Sequence, residues 1–369
     1  MISILHIKEI FLSLNKFYEM KNKISFKLVL NMLLLMMVFI TTQSNAQDFS
    51  FSQFYEKPLL RNPALAGVFD GDIRVIGIFR NQWQSVTIPY QTSGASVETK
   101  FSIGNADDYL TLGLQMTNDV AGDIKLKRTQ LLPVINFHKS LNQDYDSYLS
   151  MAFMAGNVSS QFDASKLQLD DQFVNGSFNA NNPTMQMFNR TSVNYWDLSA
   201  GLSYSMSFGE SGSFYVGASM FHVNQPKVGF YTNNETTTLS NKFTINTGLT
   251  TPTGENNRLV FFADYYSQAK NKQVIGGALY GIDLFQYYDS EDKLTLYLGG
   301  FYRWKDAFIP IVKLDVYKFS LGMSYDVNTS QLKTASQSRG GFELAASYRS
   351  KLNIRAAGAE KMRCVKFMF

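Results

Sequence analysis

Apolar and polar residues alternate with a period of two along most of this chain. From Trp196, one face carries Trp196, Leu198, Ala200, Leu202, Tyr204, Met206 and Phe208. The other carries Asp197, Ser199, Gly201, Ser203 and Ser205. The pattern returns as Tyr317, Phe319, Leu321, Met323 and Tyr325 against Lys318, Ser320, Gly322, Ser324 and Asp326. It returns again as Phe342, Leu344, Ala346 and Tyr348 against Glu343, Ala345, Ser347 and Arg349. Such segments, about ten residues long, are strands with one face in lipid and one in a polar lumen. A slip of one residue would put Glu343 and Arg349 into lipid, at a cost of a few kcal/mol near the midplane, so the register is fixed. The inner charges are expected to be solvated by water.

About fourteen strands are expected, an even number as in single-chain bacterial barrels. They begin near Asp72, Tyr90, Tyr109, Lys127, Ser147, Tyr195, Ser213, Asn241, Asn257, Gln273, Lys293, Ala307, Tyr317 and Arg339. Gly209-Glu210-Ser211-Gly212 and Gly254-Glu255-Asn256-Asn257 read as tight hairpins, and Asp289-Ser290-Glu291-Asp292 as a longer charged turn. The strands near Lys127 and Ala307 contain Pro133 and Pro310. Proline removes a ladder donor, so these two are expected to be bulged or shortened. From about Val158 to Asn194 the alternation stops in an Asn-, Gln-, Asp- and Ser-rich stretch carrying Phe162, Phe173, Phe178 and Phe188. It reads either as a solvent-exposed loop or as one that plugs the barrel or receives a partner.

Composition supports the pattern. Of 369 residues 45% are hydrophobic, yet only 17% are charged, below the roughly 25% of an average soluble protein. Aromatics reach 14%, mostly the 30 Phe and 20 Tyr, as an aromatic-girdled barrel requires. A net charge of +4 spread along the chain makes no case for nucleic acid. The single cysteine, Cys364, excludes an internal disulfide and reads as an incidental thiol.

The first 46 residues read as an address. Met20 opens a secretory signal: Lys21, Lys23 and Lys27 are its basic region, Leu28 to Ile40 its apolar core, and Ser44-Asn45-Ala46 its cleavage site. Cleavage after Ala46 would leave Gln47 first, and residues 1–19 read as an upstream extension. The apolar core falls short of the roughly 20 residues that span a bilayer. No later stretch offers an uninterrupted apolar span, so an exported, membrane-bound chain would cross as strands. The expected organisation is residues 1–46 as extension and signal, 47–71 as an N-terminal segment, 72–349 as the barrel and 350–369 as a basic tail. That tail carries Lys351, Arg355, Lys361, Arg363 and Lys366, which favour a solvated end; alternatively its KFMF supplies a terminal aromatic.

Catalytic chemistry is not legible. His138 and His222 remain after signal removal, with no partner at metal-ligand spacing, and read as surface or lumen histidines. The sequence has no G-x-S-x-G elbow and no G-x-x-x-x-G-K or G-x-G-x-x-G loop. Asp170-Asp171 reads as a solvated turn. No enzyme activity, cofactor or metal is expected.

The segment after the signal is the most specific part of the sequence. It contains Gln53, Tyr55, Asn62-Pro63-Ala64 and Ala66-Gly67, then Arg80-Asn81-Gln82-Trp83, with Tyr90, Thr92 and Ser96 following. In this order the elements resemble the PorP/SprF family of type IX secretion membrane proteins. Phe214 to Ser219 with His222 and Pro226, Leu298 to Arg303, Ser324 to Asp326 and Gly340 to Glu343 extend the likeness across the mature chain. Arg363-Cys364-Val365-Lys366-Phe367 resembles the family's tail, with Val365 where Pro is expected. The resemblance implies an outer-membrane protein of Bacteroidota, not an enzyme, whose partners are outer-membrane lipid, translocon components and secreted or gliding-adhesin cargo. The residues themselves add that Asn62-Pro63 and Ala66-Gly67 are turn chemistry. They imply a structured segment before the first strand, inside the barrel or against its rim. Arg80 and Trp83, just past that strand, fit an interface anchor. Asn62, Pro63, Ala64, Gly67, Arg80, Asn81, Gln82 and Trp83 are therefore candidate motif or partner-contact residues, equally readable as serving the fold alone.

The expected fold is all-β, a transmembrane antiparallel β-barrel of about 14 strands with a structured N-terminal segment. The leading functional expectation is an outer-membrane component of type IX secretion that binds or hands over cargo. A solute or hydrophobic-ligand transport barrel is the alternative, and a surface adhesin a third.

Overall fold

The computed structural model describes residues 48–352 apart from 83–87, 104–106, 143–145, 175, 180, 183, 186–187, 189, 210, 231–236, 287–292, 331–336 and 338. Three short helical turns come first: Phe54–Glu56, Pro58–Arg61 and Pro63–Leu65. Pro58 and Pro63 each open a turn, where a missing N–H costs nothing and a fixed φ is already helical. The strands are β1 Ile73–Gln82, β2 Tyr90–Ile103, β3 Asp108–Ala121, β4 Leu126–Asn142 and β5 Ser147–Gln161. A two-residue hairpin follows, β6 Phe173–Val174 and β7 Ser177–Phe178. Then come β8 Ser192–Phe208, β9 Gly212–Phe221, β10 Lys242–Pro252, β11 Asn257–Gln268 and β12 Asn271–Gln286. The last are β13 Lys293–Arg303, β14 Ala307–Val316, β15 Phe319–Asn328 and β16 Arg339–Ser350.

All strands but β6 and β7 form one closed antiparallel barrel of 14 strands, sealed by β1 against β16. This is the fold class the alternation demands, and each strand starts within about three residues of its expected position. Closure follows from the bilayer, because an open edge would leave backbone N–H and C=O groups unsatisfied in lipid. The inside and outside faces are as read. Trp196, Leu202, Leu321 and Met323 point outward, whereas Asp197, Ser203, Ser320 and Glu343 are buried.

Two expectations need correcting. The proline strands are neither bulged nor short at their prolines. β4 is 17 residues long and keeps one register with β5 from Leu131↔Asn157 to Val134↔Met154. β14 likewise keeps one register with β15 from Phe308↔Val327 to Ile311↔Ser324. Each proline removes ladder bonds toward one neighbour only, while pairing on its other side, with Leu114 and Gly300, persists. The second correction concerns the lumen. Many of its charges are buried rather than open to water, because residues 48–71 fill it. Phe51, Phe54, Leu59, Leu65 and Phe69 are all buried there.

This segment runs the length of the barrel. At the end where β1 begins and β16 stops, the Asp72 N–H donates to the Ser350 carbonyl (2.9 Å). At the opposite end Asp48 meets residues at the close of β9 and β11. The connections at that opposite end include the longest ones, 162–191, 222–241 and 329–338, whereas those at the end of β1's start run 104–107, 143–146, 209–211, 253–256, 287–292 and 317–318. The hydrophobic core is thus the seam between segment and wall. Phe54 and Tyr55 join an aromatic cluster with Tyr215, Phe262 and Phe301. Leu59, Ala64 and Ala66 pack on Leu132, Val134 and Met154, and Phe51 packs on Ile78 and Ala345. Within 162–191, Phe162 sets its edge against Phe188 and Phe230. Most of the described residues of that stretch are exposed or half-buried, and it is the N-terminal segment that fills the lumen.

Candidate functional site

The seam has two parts that differ in chemistry. The root, from Glu56 to Phe69, is held by demands on particular side chains. The Arg61 guanidinium donates twice to Asp264 (2.7 and 2.6 Å), in the fork geometry that suits a carboxylate. It lies 5.0 Å from the Phe54 ring centroid and 5.5 Å from that of Phe262, a cation–π position between segment and wall. Tyr266 Oη donates to the same carboxylate (2.5 Å). Glu56 pairs with Lys313 (2.8 Å).

Asn62 works in two directions. Its Oδ1 accepts from the Ala64 N–H (2.8 Å), capping the turn that Pro63 opens. Its Nδ2 donates to the Leu202 and Ala218 carbonyls (3.0 and 3.3 Å). The wall makes room with glycine: a Cβ on Gly201 would fall 2.0 Å from Asn62 Oδ1. Asn136 Nδ2 donates to the Ala64 and Ala66 carbonyls (2.9 and 2.8 Å). Gly67 turns the chain at φ +81°, and a Cβ there would strike Thr111 Oγ1 at 2.0 Å. Its N–H donates to Glu98 (3.0 Å), which also accepts from Nε and Nη2 of Arg74 (3.0 and 2.9 Å). Phe69 lies between Arg74 and Lys100.

The tip, residues 48–53, is gripped through both its backbone and its side chains. The Ser52 and Gln53 N–H groups donate to the two oxygens of Glu343 (2.6 and 2.8 Å). Arg80 donates to the Ser50 carbonyl, and pairs with Asp326 (2.9 Å) and Glu343 (3.1 Å). Arg303 pairs with Asp326 (2.5 Å), which also accepts from Ser52 Oγ (2.5 Å). The Asp48 N–H donates to Gln268 (3.0 Å), and its carboxylate meets Arg128 (2.7 Å) and His222 Nε2 (2.7 Å). His222 Nδ1 faces Asp197 (2.9 Å). Carboxylates at both ring nitrogens require both to donate, so the imidazole is cationic. Although burial disfavours that charge, Asp48 and Asp197 hold its pKa up at about 9. Asp48, also against burial, is held well below the usual carboxylate range by Arg128 and His222. Small cavities of about 30 and 20 Å³ flank Phe49.

Among the described residues no cluster of His, Cys, Asp or Glu is arranged to hold a metal ion. Nor is any helix there long and apolar enough to cross a membrane.

The chain matches the family described as type IX secretion system membrane protein PorP/SprF over residues 43–348. It belongs to that family. No curated protein matches it. Among solved structures it is similar in fold to the toluene transporters TodX of Pseudomonas putida and TbuX of Ralstonia pickettii. Identity is 9% for both, with TM-scores of 0.48 and 0.45. The alignments cover 82% and 83% of this chain and 95% and 96% of those. The translocator domain of the autotransporter NalP from Neisseria meningitidis aligns at 11% identity and TM-score 0.33, over 80% of this chain and 95% of that one. These likenesses concern barrel architecture alone.

In this PorP/SprF protein the two sequence motifs grip different parts of one segment. Asn62, Pro63, Ala64 and Gly67 are buried in the root. Arg80 is not past the first strand at the membrane interface, as its position by Trp83 implied. It lies within β1, faces the lumen and holds the tip. Asn81 and Gln82 close β1, paired with Phe342 and Gly341 of β16. Trp83 lies outside the described residues, as do the expected signal, Met20, Gln47, Cys364 and residues from 353 onward. Sequence reasoning missed Arg61, Asp264 and Glu98, and did not join Asp326 to the tip or Asp48 to His222 and Asp197. One signal was present: residues 47–71 hold too many Phe and Leu for a solvated linker and lack strand alternation, so they had to be buried in something.

Proposed function

We propose that this protein is the outer-membrane component of type IX secretion that binds particular secreted or surface-anchored cargo, or hands it over. The observation that carries the reading is the family match along residues 43–348, which takes in nearly the whole barrel. The filled lumen is in keeping with it, since a barrel occupied along its length by its own segment offers no open path for solute. Short turns face the periplasm and longer loops the outside in barrels of this kind. On that rule the connections 162–191 and 222–241 are extracellular, the barrel's start and close are periplasmic, and Asp48 sits at the outer mouth. Export through the signal, cleaved after Ala46, delivers the chain to the periplasm, and the basic tail stays there.

The test is a clean deletion strain whose secreted and surface proteomes are compared with the parent. Loss of one or a few secreted proteins, with precursors retained in the cell, is the expected outcome. An unchanged secretome with altered solute uptake would overturn the reading in favour of a transport barrel.

A further inference from the structure

The tip and the root are held by separate groups of the wall, the tip around Arg80 and Glu343 and the root around Asp264 and Glu98. The root's positions tolerate little besides the residues present: Arg61 fills a fork on Asp264, Asn62 enters a gap left by Gly201, and Gly67 has no space for a Cβ. The tip's main clamp is different. Glu343 takes two successive backbone N–H groups and Arg80 takes a backbone carbonyl, contacts that any residue but proline at the two N–H positions could make. Selectivity at the tip comes from side chains: Ser52 Oγ donates to Asp326, and Gln53 Nε2 donates to the Glu343 carbonyl in the gap left by Gly322. The Phe51 ring is buried on Ile78 and Ala345, and the Asp48 carboxylate is received by Arg128 and His222. Residues 48–51 have neither helical nor strand structure, and two small cavities lie beside Phe49. Backbone hydrogen bonds for affinity and spaced side-chain pockets for choice are the means by which proteins bind peptides.

We propose that this part of the wall is a peptide receptor, centred on Arg80, Glu343, Asp326 and Arg303, which the chain's own residues 48–53 occupy in this state. Its ligand is a non-helical peptide with an acidic residue three positions before an aromatic one and small polar residues around it. A partner's segment of that chemistry displaces the tip while the root keeps the N-terminal segment anchored. The assignment of the partner as cargo rests on the function proposed above; the receptor itself rests on the geometry. A tethered tip competes at an effective concentration in the millimolar range, so the resident segment sets the threshold a partner must exceed.

The probe is a fluorescein-labelled synthetic peptide of residues 47–57, titrated by anisotropy against the full mature chain in detergent. In the variant Asp48→Lys/Phe51→Gly the tip loses its acid and its ring while the wall is untouched. This variant is expected to bind the peptide at least about ten-fold more tightly than the wild type. Adding Glu343→Gln, or separately Arg80→Lys, is expected to abolish that gain. A peptide carrying the same two tip substitutions is expected not to bind. Heat-modifiable gel mobility confirms that each variant keeps its barrel. Equal affinity for the wild-type and released-tip proteins, or a gain insensitive to both wall substitutions, would overturn the proposal. A secretion defect in the deletion strain alongside that result would leave the cargo function standing without this receptor.

Discussion

At the scale of single residues, the molecule depends on charges taken out of water and matched one to one. Arg61 and Asp264 are each almost wholly buried, on opposite sides of the seam. A buried pair contributes little over an apolar pair of the same shape, but removing one partner strands the other at a cost of about 3–5 kcal/mol. Asp264→Asn is therefore expected to lose stability in that range in urea unfolding from lipid vesicles. The double variant Arg61→Met/Asp264→Leu is expected to recover most of it. A single variant as stable as the wild type would show that water enters the seam and screens Arg61.

At the scale of elements, the tip and the strand ends around it form a unit with its own pH response. His222 leads the chain out of β9, between Asp48 of the segment and Asp197 of β8; Arg128 of β4 and Lys242 of β10 bear on the same carboxylate. The histidine's pKa rises in the folded state, from 6.5 to about 9. Its contribution is thus complete below about pH 6.5 and is lost as the pH climbs through about 9, at most on the order of 3 kcal/mol. Asp48 shifts the other way, so its contribution disappears only in strong acid. A nitroxide at Phe49→Cys, in a Cys364→Ser background, is expected to be immobile at pH 6.5 and mobile near pH 10. His222→Gln should remove that pH dependence. A spectrum that stays immobile throughout in the otherwise wild-type chain would show that the clamp on the backbone suffices without the imidazolium. The strands themselves are less sensitive units: Pro133 and Pro310 cost local ladder bonds, yet twofold alternation keeps the register on either side.

At the scale of the whole molecule, the barrel and its segment form one closed body whose interior is a packed core. Purified wild-type protein in planar bilayers is expected to show no steady porin-scale conductance, because residues 48–71 occupy the lumen from the Asp48 end to the Ser350 end. Sustained large steps would mean that the segment leaves the lumen without a partner.

The sequence alone determined the barrel. Twofold alternation with charge confined to one face has one solution in a bilayer, and strand number and register follow from it. The motifs around Asn62 and Arg80 were legible as turn chemistry and as a family signature, but not as two grips on one segment. That relation joins residues far apart in the chain, Arg61 to Asp264 and Ser52 to Glu343, and no local pattern encodes such a pairing. Lumen-facing charges look the same in sequence whether water or a peptide neutralises them. Only the tertiary structure decides which, because it alone shows the N-terminal segment lying against Asp264, Glu343, Asp326 and Arg128.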